Sequence, residues 1–179
     1  VSEADAMTRL RVAKRRGALA IAIADIAGIW DLTQVTHALS DLAEKALEVA
    51  WRHALSQQIH RGKLPLELSD DPIGGSGLVC LAMGKLGARE LNYSSDVDLI
   101  VLFDDDLVAY RAQSELRQVF VRATQTMVRL MEERTSDGYV FRTDLRLRPD
   151  PNATPLAVSM TAAETYYERT GQNWERAAM

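Results

Sequence analysis

The chain has 179 residues, of which 47% are hydrophobic and 26% charged, enough apolar material for the core of one ordinary domain. Its net charge of −4 and pI of about 5.4 argue against a polynucleotide partner, whose phosphates call for a basic face. The single cysteine, Cys80, excludes a disulfide framework, and Asp25 interrupts the apolar stretch Ala18 to Ile29 well short of a membrane span, so the expectation is a soluble cytoplasmic protein.

Residues 1–62 are predicted to be a helical region. Ser2 is placed to cap a first helix from Glu3 to about Gly28, with the glycine just past its end. Its basic cluster, Arg9, Arg11, Lys14, Arg15 and Arg16, reads as a solvated helix face or a domain contact. A second helix starts at Asp31 with Gln34 completing a capping box, and Val35, Leu39, Leu42, Ala46, Val49 and Ala50 recur at helical spacing. His37, His53 and His60 lack the i, i+4 spacing of a helical metal site and read as surface residues. Residues 63–77, with Pro65, Pro72, Gly74, Gly75 and Gly77, read as a linker.

A second module, 78–179, opens with Leu78 to Met83, an apolar run suited to a buried strand, with Cys80 as a small core residue. Lys85 to Leu91 reads as a brief helix and Asn92 to Ser95 as a turn. The next strand, Asp96 to Phe103, is the most apolar of the chain, and Asp104, Asp105 and Asp106 form its solvated end. A long helix is predicted from about Ala109 to Arg134, closed by Ser136-Asp137-Gly138 with Gly138 in the C′ position. Tyr139 to Arg148 alternates as a strand, with Val140, Arg142, Asp144, Arg146 and Arg148 on one side. Pro149 to Pro155 is a loop, and Thr161 with Glu164 forms a capping box for a last helix running to Met179. The order strand–helix–strand–helix–strand predicts an α+β fold: a small mixed sheet with packed helices, preceded by the helical region. The chain opens without Met and stops inside a helical pattern, and is expected to be a piece of something longer.

Asp96 and Asp98 carry the functional argument. Residues i and i+2 of a strand point to the same side, so both carboxylates face one way from the mouth of an apolar strand. Like charges this close repel, and a divalent cation removes that cost; Mg²⁺ takes a few carboxylate oxygens and completes its shell with water and phosphate. If the 139–148 strand lies in the same sheet, Asp144 joins the pair. Carboxylates from two strands can then hold metal for phosphoryl or nucleotidyl transfer. Backbone amides of Ser94-Ser95 and at Gly84 can approach phosphate, and Arg146 and Arg148 can add charge. Gly84-Lys85 is not a P-loop, because the glycine spacing is wrong and Leu86 replaces the hydroxyl residue.

These residues also carry a resemblance. The run Met83-Gly84-Lys85-Leu86-Gly87-Ala88-Arg89-Glu90-Leu91-Asn92 followed by Ser94-Ser95-Asp96-Val97-Asp98-Leu99-Ile100 resembles the bifunctional glutamine synthetase adenylyltransferase/adenylyl-removing enzymes. Gly138-Tyr139-Val140-Phe141-Arg142-Thr143-Asp144-Leu145-Arg146-Leu147-Arg148-Pro149 resembles their second signature and Trp174-Glu175-Arg176-Ala177-Ala178-Met179 a third. The resemblance implies a polymerase-beta-like nucleotidyltransferase fold, with Asp96, Asp98 and Asp144 as catalytic, metal-binding acids for Mg²⁺ or Mn²⁺. It further implies that Gly84 and Ser95 lie near the phosphates. Many relatives carry Gly-Ser or Gly-Gly where this chain has Gly84-Lys85, so Lys85 joins that set and either Ser94 or Ser95 remains open as the phosphate contact.

In that family the N-terminal half removes AMP from a tyrosine of glutamine synthetase by phosphorolysis, and the C-terminal half attaches AMP from ATP. Met83 before Gly84, Asn92 after Glu90-Leu91 and the Trp-Glu-Arg ending are similar to the N-terminal half. The implied partners are glutamine synthetase as protein substrate, a nucleotide, inorganic phosphate and a nitrogen-signalling regulatory protein. Adenylyl transfer from ATP and a non-catalytic docking module are the competing expectations.

Overall fold

In the computed structural model, which describes residues 2–105 and 113–172, a helical hairpin leads into a four-stranded mixed sheet. Helix α1 spans Glu3–Ile26; the Ser2 hydroxyl accepts the Asp5 amide, which satisfies one of the unpaired donors of the first turn. Gly28, at φ +65°, takes the left-handed turn that reverses the chain. Helix α2 spans Leu32–His60, and its capping box is complete: Asp31 accepts the Gln34 amide, and the Gln34 side chain accepts the Asp31 amide. Leu64 and Ser76 are buried, so residues 63–77 pack against the protein as they cross it, with a 3₁₀ turn at Leu66–Ser69.

Strand β1 (Leu78–Met83) is followed by a one-turn helix, α3 (Gly84–Gly87), and by β2 (Val97–Phe103). The remaining elements are α4 (Gln113–Glu132), β3 (Thr143–Asp144), β4 (Val158–Ser159) and α5 (Met160–Arg169). The fold is α+β, as expected. Strand β2 is central: β1 runs antiparallel along one side over its whole length. On the other side β3 pairs in parallel with the start of β2, and β4 pairs in parallel with its end.

Alternation along β2 separates two cores. Val97, Leu99, Val101 and Phe103 face the larger one, built with α1, α2 and α4, where Phe103 stacks on Phe120 with ring centroids 4.9 Å apart. Full burial of a leucine or phenylalanine side chain such as Leu55, Phe120 or Leu130 is worth about 1.5–3 kcal/mol. Ile100 and Leu102 face the smaller core, with Met83, Val158 and Ala163. The helical region and the sheet therefore share one apolar interior.

Several sequence expectations need correction. Strand β1 is an edge strand, with Leu81 38% exposed. Gly138 does not cap α4: the helix ends at Glu132, and Gly138, at φ +89°, closes a separate turn in which Thr135 and Gly138 exchange backbone hydrogen bonds. Of the ten residues from Tyr139 to Arg148, only Thr143 and Asp144 pair as strand. The alternation breaks because Val140 and Phe141 are both buried, their amides sharing the Met131 carbonyl at the end of α4. Helix α5 is capped by Ser159, whose hydroxyl accepts the Ala162 amide, instead of by Thr161. Of the two readings of the basic cluster, Arg11 follows the contact and not the solvated face; it is 1% exposed and donates to the Gly138 and Leu130 carbonyls. Asp106, the expected start of α4 at Ala109 and the Trp174 to Met179 signature lie outside the described residues.

Candidate active site

The site forms where β2 begins. In the parallel ladder Asp98 is the direct partner of Asp144, and residues paired in this way project their side chains on the same face of the sheet. That face is the one carrying Met83, which pairs with Asp98 from β1. Asp96 precedes β2 by one residue and repels Asp98 electrostatically, as Asp144 does. The sheet thus sets Asp144 beside Asp98, from which it is distant in the chain.

Their environments differ. Burial, then the charges of Asp144 and Asp96, push the Asp98 carboxyl above the usual carboxylate range, against the pull of Arg146 and Lys85. Asp144 is held below that range because Arg146 forks it, with Nε 3.0 and 2.9 Å and Nη2 2.5 Å from the carboxylate oxygens. The Arg146 amide also donates to Asp144 Oδ1 at 2.8 Å. Asp96 is paired with Arg142, whose Nε lies 2.5 Å from Oδ1 and whose Nη2 donates to the Ser94 carbonyl at 2.8 Å. With the two outer acids turned to arginines, no group of three acidic, histidine or cysteine side chains among the described residues converges as a ready-made metal cluster.

Gly84 is pressed against this centre. Its φ is +54°, and a Cβ there would lie 2.6 Å from Asp98 Oδ2. Gly84→Ala is expected to lower stability by about 1–2 kcal/mol through the left-handed backbone alone. The added methyl must also displace the Asp98 carboxylate, so any turnover that depends on this acid should fall at least about tenfold; a melting curve and a turnover assay on the same preparation check both. Lys85 is exposed beside it and attracts Asp98.

The other expected contacts are less concentrated. The Ser94 amide donates to Asn92 Oδ1 and the Ser95 amide to the Asn92 carbonyl, so both are used by the turn and are not offered to a phosphate. Ser95 Oγ is buried without a hydrogen-bond partner, and Ser95 lines a cavity of about 10 Å³ with Lys14, Tyr139 and Phe141; neither Gly84 nor Asp98 lines it. Arg148 donates to the Leu145, Pro151 and Thr154 carbonyls and so fastens the 145–154 loop. Asp96, Asp144, Arg142, Arg146 and Arg148 nonetheless line one cleft of about 620 Å³, a size that suits a nucleotide. A second hollow of about 570 Å³, between α1 and α2, contains no carboxylate. Arg142 was visible in the sequence as a guanidinium two residues before Asp144; its pairing with Asp96 was not.

The family model described as glutamate-ammonia ligase adenylyltransferase matches residues 1–179. The chain belongs to this family. The match includes the helical region, which carried little signature of its own. Proteins named bifunctional glutamine synthetase adenylyltransferase/adenylyl-removing enzyme are similar to it. Those of Bradyrhizobium sp. strain BTAi1 and Rhodopseudomonas palustris strain BisB5 are 54% and 52% identical over 178 and 177 residues, 99% of this chain. That of Rhizobium meliloti strain 1021 is 50% identical over 176 residues, 98% of this chain. The chain spans 18% of the length of each of these relatives. No helix among its described residues is long and apolar enough to cross a membrane.

Proposed function

We propose that this chain carries the centre that removes AMP from a tyrosine of adenylylated glutamine synthetase by phosphorolysis, releasing ADP. The observation that supports it best is the side-by-side register of Asp98 and Asp144, with Asp96 beside them and Gly84 against Asp98 Oδ2. Met83, Asn92 and the Trp174-Glu175-Arg176 ending favour the removing direction over the attaching one.

In this reaction an oxygen of inorganic phosphate forms a bond to the α-phosphorus of the tyrosyl–AMP linkage. The bond from phosphorus to the tyrosine oxygen breaks, and the phenolate takes a proton as it leaves. Phosphate is anionic at neutral pH, so no protein general base is required. Gly84, lacking Cβ, admits the phosphate chain close to Asp98, and Arg146 and Lys85 balance part of the acidic charge. Arg142 holds Asp96 and the Ser94 carbonyl in one place and so keeps the turn before β2 in position.

An all-carboxylate donor set suits a hard divalent cation, Mg²⁺ or Mn²⁺, and the half-buried Asp98, repelled by both other acids, is where added positive charge is most favourable. Asp96, Asp98 and Asp144 are the residues that would hold it, once Arg142 and Arg146 release the outer two. Bound there, the ion supplies charge neutralisation at the reacting phosphate and at the departing oxygen. A cytoplasmic setting and control by a nitrogen-signalling protein belong to the same reading.

The test is to incubate the protein with adenylylated glutamine synthetase, phosphate and Mg²⁺ and to assay ADP. ADP that depends on phosphate is the expected product. Pyrophosphate from ATP and unmodified glutamine synthetase, with no ADP in the first assay, would assign the attaching direction instead.

A further inference from the structure

Strand β3 has only two paired residues, Thr143 and Asp144, too few to fix its own register. Asp144 faces Asp98 only in that register, since a slip of one residue would turn it to the other face. Something outside the ladder must hold the strand.

The Val97 amide donates to the Arg142 carbonyl, so the backbone groups of Arg142 and Asp144 face β2. Those of Thr143, between them, face outward, to an edge with no neighbouring strand among the described residues. There the last residue of α4 takes the place of a strand. Glu132 Oε1 accepts the Thr143 amide and the Thr143 hydroxyl, each at 2.6 Å. These are short, charge-assisted bonds to both donors of one residue. One residue earlier, the Met131 carbonyl receives the amides of Val140 and Phe141. The end of a rigid helix therefore carries the segment that presents Asp144.

We infer that Glu132 is a positioning residue: its carboxylate clamps Thr143 and so holds Asp144 opposite Asp98. The inference rests on the proposed role of these acids, and it names a residue that no motif in the sequence marks. Glu132 also borders the 620 Å³ cleft, so a direct charge on the substrate is the competing role that a test must separate.

Glutamine keeps the acceptor oxygen and loses the charge; alanine loses both. In the full chain, Glu132→Ala is expected to lower the rate of ADP release and the affinity for Mn²⁺, read by electron paramagnetic resonance, each by about 10–100-fold, with the KM for phosphate little changed. Glu132→Gln is expected to recover most of both. Thr143→Val, which removes only the hydroxyl donor and keeps the shape, should fall between them, and it keeps the inference testable if the alanine variant folds poorly. Asp144→Asn is run alongside. If it retains the normal rate, the functional reading of the acids fails. If it is inactive while Glu132→Ala has normal turnover and normal Mn²⁺ affinity, the positioning role alone fails. A Glu132→Gln variant as impaired as Glu132→Ala would also overturn it, because the need would then be for charge.

Discussion

Asp144→Asn is expected to cut ADP release from adenylylated glutamine synthetase by about a thousandfold or more, and Asp96→Asn to act in the same direction. Asp144 projects beside Asp98 by direct ladder pairing, so its loss removes one of the carboxylates that would hold a divalent cation against the reacting phosphate. The fold should survive. Arg146, the partner of Asp144, is 83% exposed, and an ion pair with so solvated a member contributes little to stability. Removing Asp144 also relieves the repulsion it exerts on Asp98. A change in unfolding free energy within about 1 kcal/mol is therefore expected. The measurement is phosphate-dependent ADP production set against a urea denaturation curve for the same variant. Near-normal production from either asparagine variant would remove the acids from the chemistry.

The parts of this fold legible in the sequence are those decided within a few residues. Ser2 and Asp31 have the right side chains next to helical periods, and both cap. The limits of β1 and the end of β2 follow from apolar runs with sharp polar ends, whereas β2 starts at Val97, one residue after the expected Asp96. The segment after α4 misleads because its alternation, Tyr139 to Arg148, describes a surface without naming the partner that covers it. Here the cover is the end of a helix, which accepts consecutive residues, so Val140 and Phe141 are both buried. Strand β4 is two residues long and has no period to read. Ser159 and Thr161 are equally good caps by type, and the choice falls to Ser159 because the chain leaves β4 there. The candidate site divides in the same way. The i, i+2 acids are local, whereas their meeting with Asp144 needs a parallel pairing across more than forty intervening residues. Arg148 shows the limit of residue type as evidence: a guanidinium near phosphate chemistry is equally suited to gathering loop carbonyls, and here it gathers them.

Arg11 is the second large effect. It sits in a cluster of five basic residues on α1, and nothing in the sequence says which one turns inward. Its guanidinium donates to the Gly138 carbonyl at 2.8 Å, to Met7 at 3.0 Å and Leu130 at 3.1 Å, and to the Glu133 carbonyl. Leu130 and Glu133 lie at the C-terminal end of α4, where carbonyls lack helical partners and the helix dipole favours a cation. Burial lowers the Arg11 pKa, and Glu133 and Asp137 oppose that shift, but arginine stays protonated throughout the range in which proteins fold. Arg11→Ala would leave several buried carbonyls unpaired and a void between α1 and α4. The expected cost is about 3–5 kcal/mol, seen as a lower urea midpoint with an unchanged slope. Arg11→Lys should recover less than half of this, since one ammonium cannot reach carbonyls spread around a planar fork. Arg16→Ala, at an exposed position of the same cluster, should change stability by no more than about 0.5 kcal/mol. The consequence reaches the acids, because Gly138 opens the segment that ends at Asp144. Faster amide exchange at Val140 and Phe141 in Arg11→Lys would show that route, whereas a loss below about 1 kcal/mol in Arg11→Ala would show that α1 merely rests on the sheet module.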